Sequence, residues 1–260
     1  MGGTYSVVTK NNSSWLDFFV VLPHLCDYFY PNKLNSELSM IVITGASSGL
    51  GAALAKLYSE EGAELLISGR NEQRLREVSD PLSDKVQSKT ANLSRADDIK
   101  ALFDTCLHTP KSIIHCAGSG YFGALEDQEP DAINALIENN VTSAIMLLRE
   151  AVKRYKEQAV TVVIVMSTAA LAAKAGESTY CAAKWAVRGL VESVRLELKG
   201  SPMKLIAVYP GGMATEFWPS SGKSLDTSGF MSADEAATML KQALVGTEHG
   251  YVSDITIARG

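Results

Sequence analysis

A chain of 260 residues, 46% hydrophobic and 20% charged, has the composition of an ordinary globular protein and is long enough for one large α/β domain. Its formal net charge of −5 provides no positive field to hold a nucleic-acid backbone, so nucleic acid is excluded as an expected partner. The cysteines Cys26, Cys106, Cys116 and Cys181 form no CxxC pair and have no His at zinc-finger spacing. That argues against a disulfide framework or a metal site and for reduced, mostly buried thiols in a cytoplasmic protein.

Residues 1–39 differ in character from the rest of the chain. Residues 1–14 are polar and rich in Gly, Ser and Asn, and an aromatic, apolar run from Trp15 to Tyr30 succeeds them. Asp17, Pro23, His24 and Asp27 break that run. It falls short of the ~20 apolar residues of a membrane span and lacks the small-residue cleavage site of an export signal. No membrane association is expected. The domain is expected over residues 40–260, with residues 1–39 a loosely docked extension outside the core, or a stretch ahead of a start codon assigned too early.

From Met40 onward, strand and helix signals alternate, as in a parallel sheet covered by helices on both faces. Met40 to Thr44 is an apolar run suited to a buried parallel strand. Leu50, Ala53, Leu54, Leu57 and Tyr58 mark an amphipathic helix that stops at Gly62. Leu65 to Ser68 reads as a second strand, Asn71 to Val78 as a helix, and Val86 to Ala91 as a weaker strand. Ser94 and Asp97 have capping-box spacing for a helix running to Leu107. Ser112 to His115 is the fourth strand, Asp131 to Tyr155 one long helix, and Val160 to Met166 a β-branched strand. A helix from Tyr180 to Leu198, a strand from Lys204 to Tyr209, a helix capped by Ser232 and Glu235, and a last strand from Tyr251 to Ile257 complete the pattern. The fold class this predicts is α/β, a doubly wound parallel sheet of about seven strands in a single Rossmann-type domain.

Between the first strand and helix lies TGASSGLG, from Thr44 through Gly45, Ala46, Ser47, Ser48, Gly49 and Leu50 to Gly51. Glycines there let the chain turn tightly and let backbone N–H groups approach a pyrophosphate on the helix N-terminus. A glycine turn alone has a plain structural explanation as a tight connection; its place inside a βαβ unit favours the nucleotide. At the end of the second strand, where a carboxylate would bind a ribose 2′-OH, stand Gly69 and Arg70. A guanidinium can instead make charge-assisted bonds to a 2′-phosphate, the alternative being a solvated surface arginine. Further on, Tyr180 and Lys184 form YxxxK, one helical turn apart on one face. Ser167 ends the β-branched strand, and Asn140 lies on the apolar stripe of Ile133, Leu136, Ile137, Ala144 and Leu148, whereas Asn139 does not.

The TGxxxGxG spacing, with Ser167 and then YxxxK downstream, resembles the short-chain dehydrogenase/reductase family, and the resemblance covers Met40 to about Ala258. It implies an oxidoreductase that moves a hydride between NADP(H), the cofactor that goes with Arg70, and a carbonyl or alcohol. Tyr180 would be the general acid/base, Ser167 would orient the substrate oxygen, Lys184 would bind ribose hydroxyls and lower the Tyr180 pKa, and Asn140 would hold a water linking Lys184 to solvent. An ammonium about 5 Å away at an effective dielectric near ~20 stabilises a phenolate by ~3 kcal/mol. The implied cofactor-binding set is Gly45, Ser47, Ser48, Gly49, Leu50, Gly51, Arg70, Asn92, Leu93, Cys116, Ala117, Gly118, Tyr180, Lys184, Pro210, Gly211, Met213 and Thr215. Two departures stand out. Asn92 and Leu93 replace a more frequent Asp-Val or Asp-Leu near the adenine, and His115-Cys116 replaces Asn-Asn ahead of Ala117-Gly118. His115 reads as a scaffold replacement rather than a base, because Tyr180 already supplies the proton. The resemblance also implies a homodimer or homotetramer.

Two rival readings are a non-catalytic NADP(H)-binding sensor or scaffold, which would have no reason to keep a tuned acid, and a sugar-nucleotide epimerase, which would need a larger C-terminal region. The substrate walls are expected from Ser119, Tyr121, Phe122, Thr168, Ala169, Met213, Phe217 and Trp218, with residues 222–229 as a mobile lid. Each aromatic has core packing as its alternative role. No Arg or Lys is expected to meet a substrate carboxylate, so the expected partner is a neutral small or medium-sized carbonyl or alcohol.

Overall fold

The computed structural model describes residues 40–223, 225–246 and 250–259; the leader expected over residues 1–39 lies outside them. Seven strands form one all-parallel sheet: β1 (Ile41–Thr44), β2 (Leu65–Gly69), β3 (Val86–Thr90), β4 (Ser112–His115), β5 (Thr161–Val165), β6 (Lys204–Pro210) and, last in the chain, β9 (Asp254–Ile257). A two-stranded ribbon, β7 (Met213–Ala214) and β8 (Met231–Ser232), stands apart. The order is β3-β2-β1-β4-β5-β6-β9. The chain therefore steps outward from β1 and returns to its other side at β4, which opens a crevice beyond the C-terminal ends of those strands.

Both faces of the sheet are covered, which explains why its central strands read as unbroken apolar runs. Val42, Leu66, Ile113 and Val162 share a face with Leu102, Phe103, Leu147, Leu148, Val187 and Val191. These come from α3 (Ala96–Phe103), α5 (Ser143–Tyr155) and α6 (Ser178–Glu197). Ile43, Ile67, Ile114 and Val163 face Leu54, Leu75 and Leu240, from α1 (Gly49–Glu60), α2 (Glu72–Ser79) and α7 (Ala233–Val245). Each such side chain, fully buried, contributes ~1.5–3 kcal/mol. The capping box expected at Ser232 and Glu235 forms in both directions. Among the described residues no helix is long and apolar enough to cross a membrane.

Three local expectations are corrected. Ser94 does not cap α3: the N-cap is Arg95, without a side-chain bond, and the helix ends at Phe103 rather than Leu107. The Ser94 hydroxyl is instead drawn to Asn92 and Glu138. The long helix is interrupted: α4 (Pro130–Ile137) passes through a π-helical turn, Glu138–Thr142, into α5. Such turns insert a residue and rotate the helix beyond them, and they recur at functional sites. The last strand starts at Asp254 rather than Tyr251.

Candidate active site

A cleft of about 500 Å³ lies beyond the C-terminal ends of the strands, within the usual range for a small-molecule site. Its floor is the loop from β1 into α1. Gly45 has φ +71°, and a Cβ there would sit 2.4 Å from the Ala117 backbone nitrogen. A Cβ on Gly51 would sit 2.4 Å from the Gly45 carbonyl oxygen. Only glycine lets the loop, α1 and the chain after β4 come this close. The expected Gly45, Ser47, Ser48, Gly49, Leu50 and Gly51 all line the cleft, with Cys116, Ala117 and Gly118 beside them and Pro210, Gly211, Met213 and Thr215 closing the far side. Desolvation pushes the Cys116 thiol up to about 12, which disfavours the thiolate.

Arg70, Asn92 and Leu93 line the opposite end. The Arg70 guanidinium donates to Asn139 Oδ1, and Asn139 Nδ2 in turn reaches Ser119 Oγ at 3.3 Å. Helical periodicity gave Asn139 no role, but the π-helical turn brings it into the cleft while Asn140 stays buried. Arg74, on the first turn of α2, also lines this end and was not expected. Arg70 precedes the Asn71 N-cap of that helix, so helical spacing does not relate the two, and the fold brings both to this end.

Ser167, Tyr180 and Lys184 meet at the inner end. Ser167 sits just past β5, where its Oγ accepts from the Ala169 N–H at 3.1 Å and keeps its own proton to donate. Tyr180 and Lys184 project from α6 with the Lys184 ammonium 5.5 Å from the Tyr180 ring centre. Asn140 does not line the cleft. Its Nδ2 donates to the Ser119 and Leu136 carbonyl oxygens at 2.9 Å each, and its Oδ1 is buried without a partner. A Cβ on Gly118 would fall 2.8 Å from that Oδ1 and 3.2 Å from Lys184 Nζ, so the two groups flank one point.

The expected lowering of Tyr180 is not what the cleft imposes. Tyr180 is 6% exposed, and its burial, with the Glu177 carboxylate adding, drives the phenol above its ordinary value against the pull of the Ser167 hydroxyl. Lys184 is itself buried, which pushes its amine down to about 8, so its charge is lost as the pH rises past that value. His115 lies below the site, its Nδ1 2.8 Å from Thr44 Oγ1.

Of the expected substrate walls, Ser119, Thr168, Met213, Phe217 and Trp218 line the cleft. Tyr121, Phe122 and Ala169 do not. Phe122 packs edge-on against Tyr180, with ring centres 5.3 Å apart, and stacks on Trp218, while Ala169 is wholly buried. Packing, not substrate contact, is the work of Phe122 and Ala169. The expectation of no nearby cation is corrected: Lys174 lines the cleft and donates to Thr168 Oγ1 at 3.3 Å. Glu177 lines it too, paired with Lys223 at 3.2 Å. Lys174 and Glu177 are on the segment that leads into α6, which a reading centred on strand-end loops passes over. In the expected lid, residue 224 is outside the described residues, and Leu225 and Thr227 line a separate shallow recess.

The short chain dehydrogenase family model matches residues 39–226. An uncharacterized oxidoreductase of Bacillus subtilis is 29% identical over 205 residues, 75% of this chain, and the chain spans 57% of that relative's length. A short-chain dehydrogenase/reductase from Vibrio parahaemolyticus is 60% identical with a TM-score of 0.79, over 85% of this chain and 96% of the other. One from Sphingobium yanoikuyae, solved with NADPH, is 29% identical with a TM-score of 0.73, over 84% and 87%. One from Burkholderia phymatum, solved with NAD, is similar in fold at 21% identity and a TM-score of 0.76, over 84% and 88%.

Proposed function

The chain belongs to the short-chain dehydrogenase family, and on that premise we propose that it is an NADP(H)-dependent oxidoreductase interconverting a carbonyl and an alcohol on a neutral, small or medium-sized substrate. The observation that carries this is the convergence of Ser167, Tyr180 and Lys184 on one end of a cleft whose floor is a glycine cradle. The fit to a dinucleotide is supported by backbone contacts that no Cβ could enter and by the partnerless Asn140 Oδ1 beside Lys184. Arg70 at the end of β2 supports the 2′-phosphate. The NADPH complex of the Sphingobium relative agrees with it.

When bound, the nicotinamide supplies or takes a hydride at the substrate carbon. The protein's own work is at the oxygen. Ser167, whose oxygen accepts from the backbone and leaves its proton to donate, turns that proton from Tyr180 to the substrate oxygen and orients it. Tyr180 gives that oxygen a proton in reduction and takes it back in oxidation. Burial keeps the phenol protonated, the form reduction requires. Lys184 stabilises the phenolate whenever it carries its charge, which it does below about pH 8. Asn140 Oδ1, a buried acceptor, holds a water or the ammonium on the path by which the proton is replaced. Met213, Phe217 and Trp218 take an apolar substituent. The neutral substrate rests on the apolar Met213, Phe217 and Trp218 walls; Lys223 is paired with Glu177, whereas Lys174, bonded to the uncharged Thr168 hydroxyl, keeps its charge at the cleft.

The test is turnover of NADPH against a panel of ketones and aldehydes, wild type beside Tyr180→Phe. Loss of the proton donor should lower turnover by ~10²–10⁴ while cofactor affinity holds. A Phe variant with near-wild-type turnover refutes the mechanism.

A further inference from the structure

Glu177 lines the inner end of the cleft, one helical turn before Tyr180, and has no part in the proton chemistry above. It is the N-cap of α6, yet its side chain makes no capping bond. The carboxylate is buried, and among the described residues its partner is the Lys223 ammonium, 3.2 Å away. Lys223 carries that pairing to the aromatic wall. Its ammonium lies 5.3 Å from the Phe122 ring centre, within cation–π reach, and its backbone N–H donates to the Trp218 carbonyl at 3.3 Å. Phe122 in turn meets Tyr180 edge-on and stacks on Trp218 with ring centres 5.8 Å apart. Phe217 packs against all three rings. A Cβ on Gly120 would fall 2.6 Å from the Phe217 ring and 3.0 Å from the Phe122 ring, so the cluster is pressed onto the chain after β4. The Gly123 N–H donates to the Gly176 carbonyl at 2.9 Å and ties that chain to the segment carrying Glu177.

We propose that the Glu177–Lys223 pair braces the Phe217–Trp218 wall against Tyr180, so that these two charged positioning residues set how firmly the cleft grips an apolar substituent of the substrate. The inference rests on the carbonyl–alcohol reading for that substrate. Glu177 is fixed to Tyr180 by the first turn of α6, and Lys223 is fixed to Trp218 by the short helical turn Phe217–Ser220. Their separation therefore sets the gap between the wall and the reacting oxygen. The Trp218 indole has one further anchor, its Nε1 donating to the Met213 carbonyl at 2.8 Å, which holds one edge of the ring and leaves its stacking on Phe122 to the brace. A buried carboxylate that loses its cation pays the full cost of desolvation, so breaking the pair from the lysine side draws Glu177 toward water and loosens both segments.

The tryptophans of the chain are Trp15, Trp185 and Trp218, so a Trp15→Phe/Trp185→Phe parent reports on the wall alone. In that parent, Lys223→Met should raise acrylamide quenching of Trp218 about twofold or more, and Lys223→Arg, which keeps the charge, should stay close to the parent. In turnover with NADPH, Lys223→Met should raise KM at least about tenfold for acetophenone but no more than about threefold for acetone, with kcat for acetone within about threefold. Adding Glu177→Gln to Lys223→Met should recover part of both losses, because the buried charge left without its partner is then gone. Unchanged quenching in Lys223→Met, KM values for the two ketones that move together, or a double variant at least as impaired as Lys223→Met overturns the brace and leaves the reaction class standing. A parent that reduces neither ketone counts against the neutral-ketone reading, and the quenching series, which needs no substrate, then decides the brace by itself.

Discussion

His115 should make the folded protein acid-sensitive. Its ring is 1% exposed at the end of β4, Nδ1 is held to Thr44 Oγ1 at 2.8 Å, and Nε2 is buried without a partner. Burial, with the Lys184 charge adding, pushes the imidazole down to about 3. Unfolded, it titrates near its ordinary ~6.5. Between those values the unfolded chain binds a proton that the folded one refuses. The stability associated with the neutral ring is therefore fully present above about pH 6.5 and lost as pH falls toward about 3. At pH 5 the loss from this residue alone is about 2 kcal/mol, a large share of a typical ~5–15 kcal/mol. Urea unfolding of wild type and His115→Asn at pH 7.5 and pH 5.0 measures it. Asn keeps a polar group for Thr44 and does not titrate, so the variant should lose about 2 kcal/mol less than wild type between the two pH values. Equal losses would refute a buried neutral imidazole. Turnover in His115→Asn tests the scaffold role: a catalytic base could not be replaced by an amide.

The cofactor cleft gives two further expected outcomes. Gly51→Ala sets two effects against each other: a helix interior gains ~1 kcal/mol from Ala, but here the Cβ would lie 2.4 Å from the Gly45 oxygen, far inside the ~3.5 Å of a favourable contact, and overpacking costs ~1–3 kcal/mol. Denaturant unfolding should show no gain in stability and titration should show weaker cofactor binding; a more stable variant with unchanged binding would show that the cradle is not tight. Arg70→Ala should weaken NADPH about 10- to 150-fold, the worth of one charge-assisted contact, and leave NADH nearly unchanged. Equal weakening of both would mean that Arg70 serves chiefly to tie β2 to Asn139.

Most of the scaffold was legible from neighbouring residues. Short apolar runs such as Ile41–Thr44, Leu65–Gly69 and Thr161–Val165 mark strands buried on both faces, because a parallel sheet under helices leaves no face to alternate toward water. The glycine loop, and Tyr180 with Lys184, were legible for the same reason: a tight turn and a pair one helical turn apart are set by backbone geometry within a few residues. Every expected cofactor residue lines the cleft, and of the expected catalytic set only Asn140, behind it, stands back.

The tertiary structure decided what depends on groups distant in the chain. Ser94 has the spacing of a cap, yet its hydroxyl goes to Glu138, 44 residues on. Asn139 lies off the apolar stripe, yet the π-helical turn brings it against Arg70, 69 residues before it. The sign at Tyr180 also came from packing. Residue types alone set a lysine beside a phenol and imply a lowered pKa; the structure buries both, and desolvation penalises the phenolate and the ammonium alike, so the phenol rises and the lysine falls to about 8. Periodicity and turn chemistry are properties of adjacent peptide units and are therefore present in the sequence by itself. Desolvation and long-range hydrogen bonds are properties of what the fold stacks against a group, and they exist only once helices and sheet have met.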